Sequence, residues 1–119
     1  MTAASATSFP RELPFGFRID ASEQGATSTI ELAGEWDLAQ QAATTDAIAR
    51  ALDRRPACLV LDLSQLSFID STGVHVLINT YKRCAAQATQ LVIIRGPRAV
   101  QRVFEICHLT ETLPFADHN

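Results

Sequence analysis

Two adjacent hydroxyls, Ser71 and Thr72, stand between Asp70 and Gly73 and could accept a phosphoryl group or cap a helix. The residues before them, 58–63, form a nearly continuous apolar run typical of a strand covered on both faces. From residue 74 onward, apolar side chains recur at i, i+3, i+4 and i+7, which predicts one buried face of a helix. The hydroxyls therefore lie at a strand-to-helix corner. The first helical amides there have no acceptor within the helix, so any of the polar side chains at 70–72 can cap them. The same amides favour an anion such as phosphate.

Catalysis is the first alternative for this corner. Asp37, Asp70, Ser71 and His75 could be combined into a hydrolytic or metal site. However, the chain has no GxSxG turn, no HExxH pair and no GxxxxGK[ST] phosphate loop, and no convincing base with an orienting partner. We therefore expect no catalytic residues, no metal and no cofactor, and we expect His75 to be a solvated surface residue because it lies off the apolar stripe.

The three cysteines do not form a metal or redox motif. Cys58, Cys84 and Cys107 are far apart, and no CxxC or Cys/His spacing occurs. Each falls on a predicted buried face, so we interpret them as small core residues in a reducing compartment.

Composition limits the classes of partner. With 119 residues, 47% hydrophobic and 19% charged, the chain is typical of one globular domain. Its formal charge of -3 provides no basic surface for nucleic acid or for an anionic membrane. No apolar run approaches the ~18 to 20 residues that span a bilayer, and the N-terminus has no secretory signal pattern. We expect a cytoplasmic protein without direct nucleic-acid binding or membrane insertion.

The order of elements follows from hydrophobic periodicity and from turn residues. Residues 1–14 are rich in Ala, Ser, Thr and Pro without an apolar period, so we interpret them as a flexible N-terminal arm preceding a domain at 15–119. The predicted elements are strands at 15–21 and 29–33, a helix at about 39–53, a strand at 58–63 with a loop at 64–69, a helix at about 71–87, a strand at 91–94, a helix after Pro97, and a short strand at 112–115.

This order predicts the fold class. The short connection between the first two strands favours an antiparallel hairpin at the edge of the sheet, and the later alternation of strands with helices favours parallel crossovers. We expect an α/β domain with a mixed, mostly parallel sheet of four to five strands. Asp37 and Asp70 both follow strands, so they could converge at one edge of the sheet with Ser71.

Three segments together carry a family resemblance. The chain resembles the STAS family, and within it the bacterial anti-sigma factor antagonists, in Gly34-Glu35-Trp36-Asp37, in the run Leu-Asp-Leu-Ser-Gln-Leu-Ser-Phe-Ile-Asp-Ser-Thr-Gly at 61–73, and in Leu91-Val92-Ile93-Ile94 before Val103-Phe104. The resemblance covers about residues 15–115. The 13-residue run is long and ordered, and it is a much stronger signal than the short motif at 34–37.

The resemblance implies a phosphorylated binding module of bacterial transcription regulation that works by partner switching. The unmodified antagonist binds an anti-sigma factor that is also a serine kinase and so releases the sigma factor; phosphorylation abolishes binding, and a serine phosphatase restores it. The motif position implies that Ser71 is the phosphoacceptor. The resemblance further implies that the partner-binding surroundings are Glu35, Trp36, Asp37, Asp70, Thr72 and Gly73.

Several interpretations remain open from the sequence. Trp36 stands where the family usually has an aliphatic residue, and it could be a core residue or an exposed interface anchor. Asp37 could be a helix cap or a functional acid, Thr72 is better interpreted as a cap or packing residue than as the acceptor, and Gly73 would allow close approach of the backbone. Within the same family, a regulatory subunit of a transporter or of a signalling scaffold is the alternative function.

Overall fold

Six strands form one mixed sheet and follow the same order in space as along the chain. The computed structural model describes residues 6–12 and 16–117. The elements are β1 (Ala6–Glu12), β2 (Arg18–Gln24), β3 (Thr27–Trp36), a 3₁₀ turn (Leu38–Gln40), α1 (Gln41–Asp53), β4 (Cys58–Ile69), α2 (Ser71–Ala86), β5 (Gln90–Ile94), α3 (Arg98–Ile106) and β6 (Phe115–Ala116).

The pairing of the strands confirms the predicted fold class. β1, β2 and β3 pair antiparallel, whereas β3, β4, β5 and β6 pair parallel, with one helix in each parallel crossover. The hairpin of β2 and β3 is the predicted opening hairpin. β1 adds a strand outside it, so the sheet has six strands rather than four or five.

The core lies on one face of the sheet. Ile30, Leu61 and Ile93 are register partners and are all fully buried. Phe115 follows in the same row, and its ring meets that of Phe104 on α3 edge to face, with 5.0 Å between the centroids. The apolar stripes of the helices therefore cover this face.

The opposite face of the sheet is less covered than the sequence predicts. Val60, Val92 and Ile94 point away from the fully buried row and keep partial solvent exposure. The prediction that the strand at 58–63 is covered on both faces is thus wrong. An unbroken apolar run is compatible with two arrangements. The strand can be buried on both faces, or its second face can be shielded only by side chains of the neighbouring strands.

The N-terminal segment corrects a second prediction. Residues 6–12, which we interpret from sequence as part of a flexible arm, form β1 and pair with β2 along its whole length, from Ala6 opposite Gln24 to Glu12 opposite Arg18. An edge strand can form through backbone hydrogen bonds to an exposed neighbour, so an apolar period is not required, and Pro10 is tolerated at an edge. The rest of the predicted arm, and Phe15, lie outside the described residues.

The segment expected as a loop at 64–69 is a continuation of β4. The strand runs to Ile69 and stays paired with β3 across two register irregularities, one between Glu31 and Ala33 and one between Gly34 and Glu35. These bulges shift which residues face the core, so Leu63, Leu66 and Ile69 are buried at a spacing of three. A period-two pattern is absent, and this is why sequence analysis missed the strand.

The helices form close to their predicted bounds. α1 starts at Gln41 because the 3₁₀ turn precedes it, and it ends at Asp53, three residues before Pro56. α2 matches the prediction to within one residue, and Pro97 lies immediately before α3. The final strand is only Phe115–Ala116, shorter than the predicted 112–115 and shifted towards the C-terminus. Among the described residues, no helix is long and apolar enough to cross a membrane.

The three cysteines differ in accessibility, so the prediction that each lies on a buried face is confirmed for Cys84 and wrong for Cys107. Cys84 is 1% exposed and Cys58 is half-buried, but Cys107, which is predicted to be buried, lies at the exposed end of α3. The apolar face of α3 ends at Phe104, so Cys107 has no sheet to pack against. Burial raises the pKa of the Cys84 and Cys58 thiols, which lowers their thiolate fraction near neutral pH.

We expect one cysteine per chain to react rapidly with a thiol reagent at pH 8, and that cysteine to be Cys107. The exposed thiol is accessible, whereas the raised pKa and the burial of Cys84 slow its reaction by at least about tenfold. Stopped-flow labelling of the native protein measures the phases, and Cys107→Ala should remove the fast one. Persistence of the fast phase in that variant contradicts the assignment.

Candidate functional site

Asp37 and Asp70 leave the sheet at the same edge. They follow β3 and β4, whose last residues, Trp36 and Ile69, are register partners. The backbone N–H of Asp70 donates to the carbonyl of Trp36 at 3.2 Å, which continues the ladder to the corner itself. The predicted convergence of the two aspartates is confirmed, because parallel neighbouring strands end together.

Both aspartates act as helix caps. Asp70 Oδ1 accepts from the N–H of Thr72 at 2.9 Å and from that of Gly73 at 3.4 Å, so Asp70 is the residue that caps α2 among the three candidates. Asp37 Oδ1 accepts from the N–H of Ala39 at 3.0 Å and caps the 3₁₀ turn. Each carboxylate thus satisfies amides that would otherwise lack a partner.

Ser71 is the first residue of α2 and is exposed to solvent. Its hydroxyl makes no hydrogen bond to any other residue in the described part of the chain. Thr72, by contrast, is half-buried. Ser71 is therefore the more accessible of the two hydroxyls.

His75 lies one turn along α2 from Ser71 and is exposed, as predicted. No hydrogen bond joins the two side chains within residues 16–117. In the same range, no group of three His, Cys, Asp or Glu side chains has an arrangement that could hold a metal ion.

Trp36 is a core residue beneath the corner. It is fully buried, so of the two interpretations left open the structure selects the core, and Trp36 cannot contact a partner as the family resemblance implied. A Cβ added to Gly73 would lie 2.7 Å from Ile69 Cγ1 and 3.0 Å from Trp36 Cδ2. Gly73 is thus the residue that lets the start of α2 pack directly on the indole and on Ile69.

Two large apolar side chains are exposed in the segments that lead into this corner. Leu38 is 69% exposed and Phe68 is 46% exposed, and they stand one residue after Asp37 and two residues before Asp70. Phe68 belongs to the motif at 61–73, whereas the only signal for Leu38 in the sequence is its position directly after Asp37. Exposed apolar groups at the rim of a functional edge are typical of a protein-binding surface.

The corner is negatively charged. Glu35 is exposed, and Asp37 and Asp70 are partly so. The ion pairs found among the described residues lie elsewhere and involve none of these three carboxylates. An additional anion on Ser71 would therefore meet carboxylates without a paired arginine or lysine.

A model of the STAS domain matches residues 18–118. The chain belongs to the STAS family. The family resemblance found in the sequence is therefore confirmed, and it extends over both strand ends that form the corner. The long motif at 61–73 corresponds in this STAS domain to all but the first three residues of β4, the capping Asp70 and the start of α2.

Similar proteins are anti-sigma factor antagonists by name. The anti-sigma-F factor antagonist RsfB of Mycobacterium tuberculosis is 28% identical over 83 residues, which cover 70% of this chain and 68% of RsfB. A crystal structure of an anti-sigma factor antagonist from Mycobacterium paratuberculosis superposes with a TM-score of 0.71 at 24% identity, covering 93% of this chain and 85% of that one.

The STAS fold of this chain is also shared with the Bacillus protein SpoIIAA in two states. Its unphosphorylated form superposes with a TM-score of 0.71 at 19% identity, covering 95% of this chain and 89% of SpoIIAA. Its phosphorylated form superposes with a TM-score of 0.65 at 18% identity, covering 95% and 92%. Both forms of SpoIIAA therefore have the fold described here.

Proposed function

We propose that this STAS protein is an anti-sigma factor antagonist of bacterial transcription regulation. In the proposed cycle, the unphosphorylated form binds an anti-sigma factor with serine kinase activity and the sigma factor is released. Phosphorylation of Ser71 ends the complex, and a serine phosphatase restores it. The names of the similar proteins support the general role, and the accessible Ser71 hydroxyl at the start of α2 is the observation that carries the switch.

The surface around Ser71 suits a partner that closes over it. A neutral hydroxyl can be covered without burying a charge, and Leu38 and Phe68, exposed in the segments that lead into the corner, can supply apolar contact area. Asp37 and Asp70 hold the two turns in place through backbone amides, which supports a positioning role rather than a catalytic one. We therefore propose a binding module that acts in the cytoplasm without a cofactor and performs no chemistry itself.

Phosphorylation changes the charge of this surface strongly. The phosphate adds about -1.5 to -2 charges at neutral pH. Because the Asp70 carboxylate already accepts from the amides of Thr72 and Gly73, the phosphate cannot use these amides without displacing it. The dianion therefore projects outward, beside Asp70.

Repulsion inside the domain is too small to drive the switch. A carboxylate about 6 Å from the phosphate contributes about 1 to 3 kcal/mol at dielectrics between bulk water and a partly wet surface. Changing a complex from almost fully bound to almost fully free needs about 5.5 kcal/mol. The larger part must arise at the interface, where a dianion forced into a closed contact loses hydration at a cost of several kcal/mol unless a cation receives it.

A phosphorylation assay tests the proposed acceptor. We expect a cognate anti-sigma kinase with ATP to add one phosphate per chain, located at Ser71 by mass spectrometry, and Ser71→Ala to reduce incorporation at least about a hundredfold, since the acceptor oxygen is gone. Thr72→Ala is the matched control and should be phosphorylated as the unaltered protein is. Undiminished phosphorylation of Ser71→Ala contradicts the assignment.

A further inference from the structure

The three helices of this domain lie on the same face of the sheet. From β3 to β6, each parallel strand is added on the same side of the one before it, and right-handed crossovers then place α1, α2 and α3 on one face. Parallel strands usually have helices on both faces. Within residues 6–12 and 16–117, no helix lies on the opposite face, which we call the open face.

The open face has an apolar part on β4 and β5. Val60 and Val92 are register partners, and Ile94 follows Val92 on the same face of its strand. All three side chains are partly exposed to solvent. A sheet face that meets water normally carries polar residues. These three side chains therefore form a small apolar patch where the fold alone would favour polar ones.

An acidic row borders this patch. Asp20, Glu31 and Asp62 are register partners on three neighbouring strands, and Asp62 is in turn the partner of Ile94. Asp20 forms an ion pair with Arg18 at 3.0 Å, and Asp62 is 8% exposed and accepts from a backbone N–H. Glu31 is exposed and takes part in none of the ion pairs between described side chains. Because like charges on opposite residues are destabilising, Glu31 beside Asp62 favours a cation from outside the domain.

A second copy of this chain does not suit the open face. From β2 to β5, four strands about 4.8 Å apart and about five residues long give a face of roughly 19 by 17 Å. This is about 320 Å², whereas a standard stable interface buries about 800 Å² on each partner. Two copies would also oppose surfaces of the same sign. A single helix about 10 Å wide and about 12 residues long spans about 18 Å and matches the face in size.

We propose that the open face binds a cationic amphipathic helix of a partner protein. The apolar stripe of that helix covers Val60, Val92 and Ile94, and a lysine or arginine at the edge of the stripe pairs with Glu31. The apolar patch provides the contact area, and the unpaired carboxylate beside it selects the sign of the partner's charge.

Binding at the open face is independent of the proposed switch. Glu31 lies five residues before Trp36, the last residue of β3, which is about 16 Å at 3.3 Å per residue. Ser71 lies beyond that end of the sheet, at the start of α2. The open face can therefore be tested without the anti-sigma factor, and a negative result would leave the proposed function untouched.

The probe is a synthetic peptide of about 14 leucine and lysine residues, with leucines at i, i+3, i+4 and i+7, and a second peptide carries glutamate in place of each lysine. Fluorescence anisotropy of the labelled peptides, titrated with the full chain, should show saturable binding of the lysine peptide and at least about tenfold weaker binding of the glutamate peptide. Glu31→Lys should weaken binding of the lysine peptide at least about tenfold and strengthen that of the glutamate peptide at least about threefold, because the charge beside the apolar patch is reversed.

Two variants distinguish this site from general attraction between a cationic peptide and an acidic protein. Glu105→Lys makes the same change of net charge at an exposed position of α3 and should leave both affinities within about twofold. Val92→Thr keeps the shape and the strand preference of the side chain but replaces an apolar methyl by a hydroxyl. It should weaken binding of the lysine peptide about threefold, with circular dichroism confirming the fold.

Backbone amide NMR signals locate the bound peptide. We expect the largest shift changes at Thr29, Val60 and Val92, which share one row of the open face. The proposal is overturned if binding of the lysine peptide does not saturate, if Glu31→Lys and Glu105→Lys weaken it equally, or if the largest shift changes fall on the helices. It is also overturned if sedimentation equilibrium shows a dimer of this chain that the lysine peptide dissociates.

Discussion

Ser71→Glu is expected to weaken the complex with the anti-sigma factor by at least about a hundredfold, whereas Ser71→Ala should bind within about threefold of the unaltered protein. The prediction follows from the proposed function and from the exposure of Ser71 at the first position of α2. A carboxylate in that closed contact loses hydration and stands beside Asp70 without a paired cation. Alanine leaves the contact neutral and preserves the Asp70 cap.

Ser71→Gln separates charge from size in this experiment. Glutamine has nearly the shape of glutamate but no charge, so it should bind at least about tenfold better than Ser71→Glu if electrostatics and hydration dominate. Calorimetry or surface plasmon resonance at two salt concentrations measures the affinities, with Thr112→Glu as an exposed control distant in sequence from the corner. An equal loss of affinity in the glutamine and glutamate variants would contradict the charge mechanism and favour steric exclusion.

Gly73→Ala is expected to lower the free energy of unfolding by about 1 to 3 kcal/mol. Helix propensity alone predicts the opposite sign, since alanine is favoured over glycine by about 1 kcal/mol in a helix interior. The loss arises because the added Cβ would lie 2.7 Å from Ile69 Cγ1 and 3.0 Å from Trp36 Cδ2, and the fully buried indole has little room to yield. Urea denaturation measures the difference.

Two further variants test the cause of this destabilisation. Asn79→Ala on the exposed face of the same helix should stabilise the protein by about 0.5 kcal/mol, which shows the propensity effect without the clash. In the background of Ile69→Ala, which removes the contacting Cγ1, Gly73→Ala should cost less by about 0.5 to 3 kcal/mol. Additive effects of the two substitutions would contradict the packing explanation.

The two predictions are connected through the start of α2. Trp36 and Ile69 form the surface on which Gly73 rests, and Asp70, three residues before Gly73, caps the same turn. Ser71 therefore begins a helix whose first turn packs on buried side chains.

Local patterns were sufficient for the helices and for the position of the corner. The apolar stripe of α2 and the apolar run at 58–63 each identify the buried face of a single segment. The strand-to-helix junction at 70–73 could therefore be located from these two segments alone, without knowledge of the segments that pack against them. The order of strands and helices then limited the fold to a mixed sheet with parallel crossovers, because few connections of that kind are possible. The long motif supplied the family.

Local patterns were insufficient where the outcome depends on another segment. β1 forms because it can pair with the outer edge of β2, and the sequence of residues 6–12 contains no pattern that predicts this pairing. The second half of β4 stays in the sheet through bulges against β3, which break the period-two signal. Asp70 rather than Ser71 or Thr72 caps α2, and that choice left the Ser71 hydroxyl free.

By itself, therefore, the amino-acid sequence determined the order of the elements from β2 onward, the STAS family and the candidate acceptor, because each depends on the periodicity or motif of one continuous segment. Only the tertiary structure decided that Trp36 is buried under Gly73, that Leu38 is exposed, and that Arg54 at the end of α1 pairs with Glu23 on β2. The physical reason is that burial, exposure and ion pairing depend on which segments meet, and residues distant in sequence meet only in the folded chain.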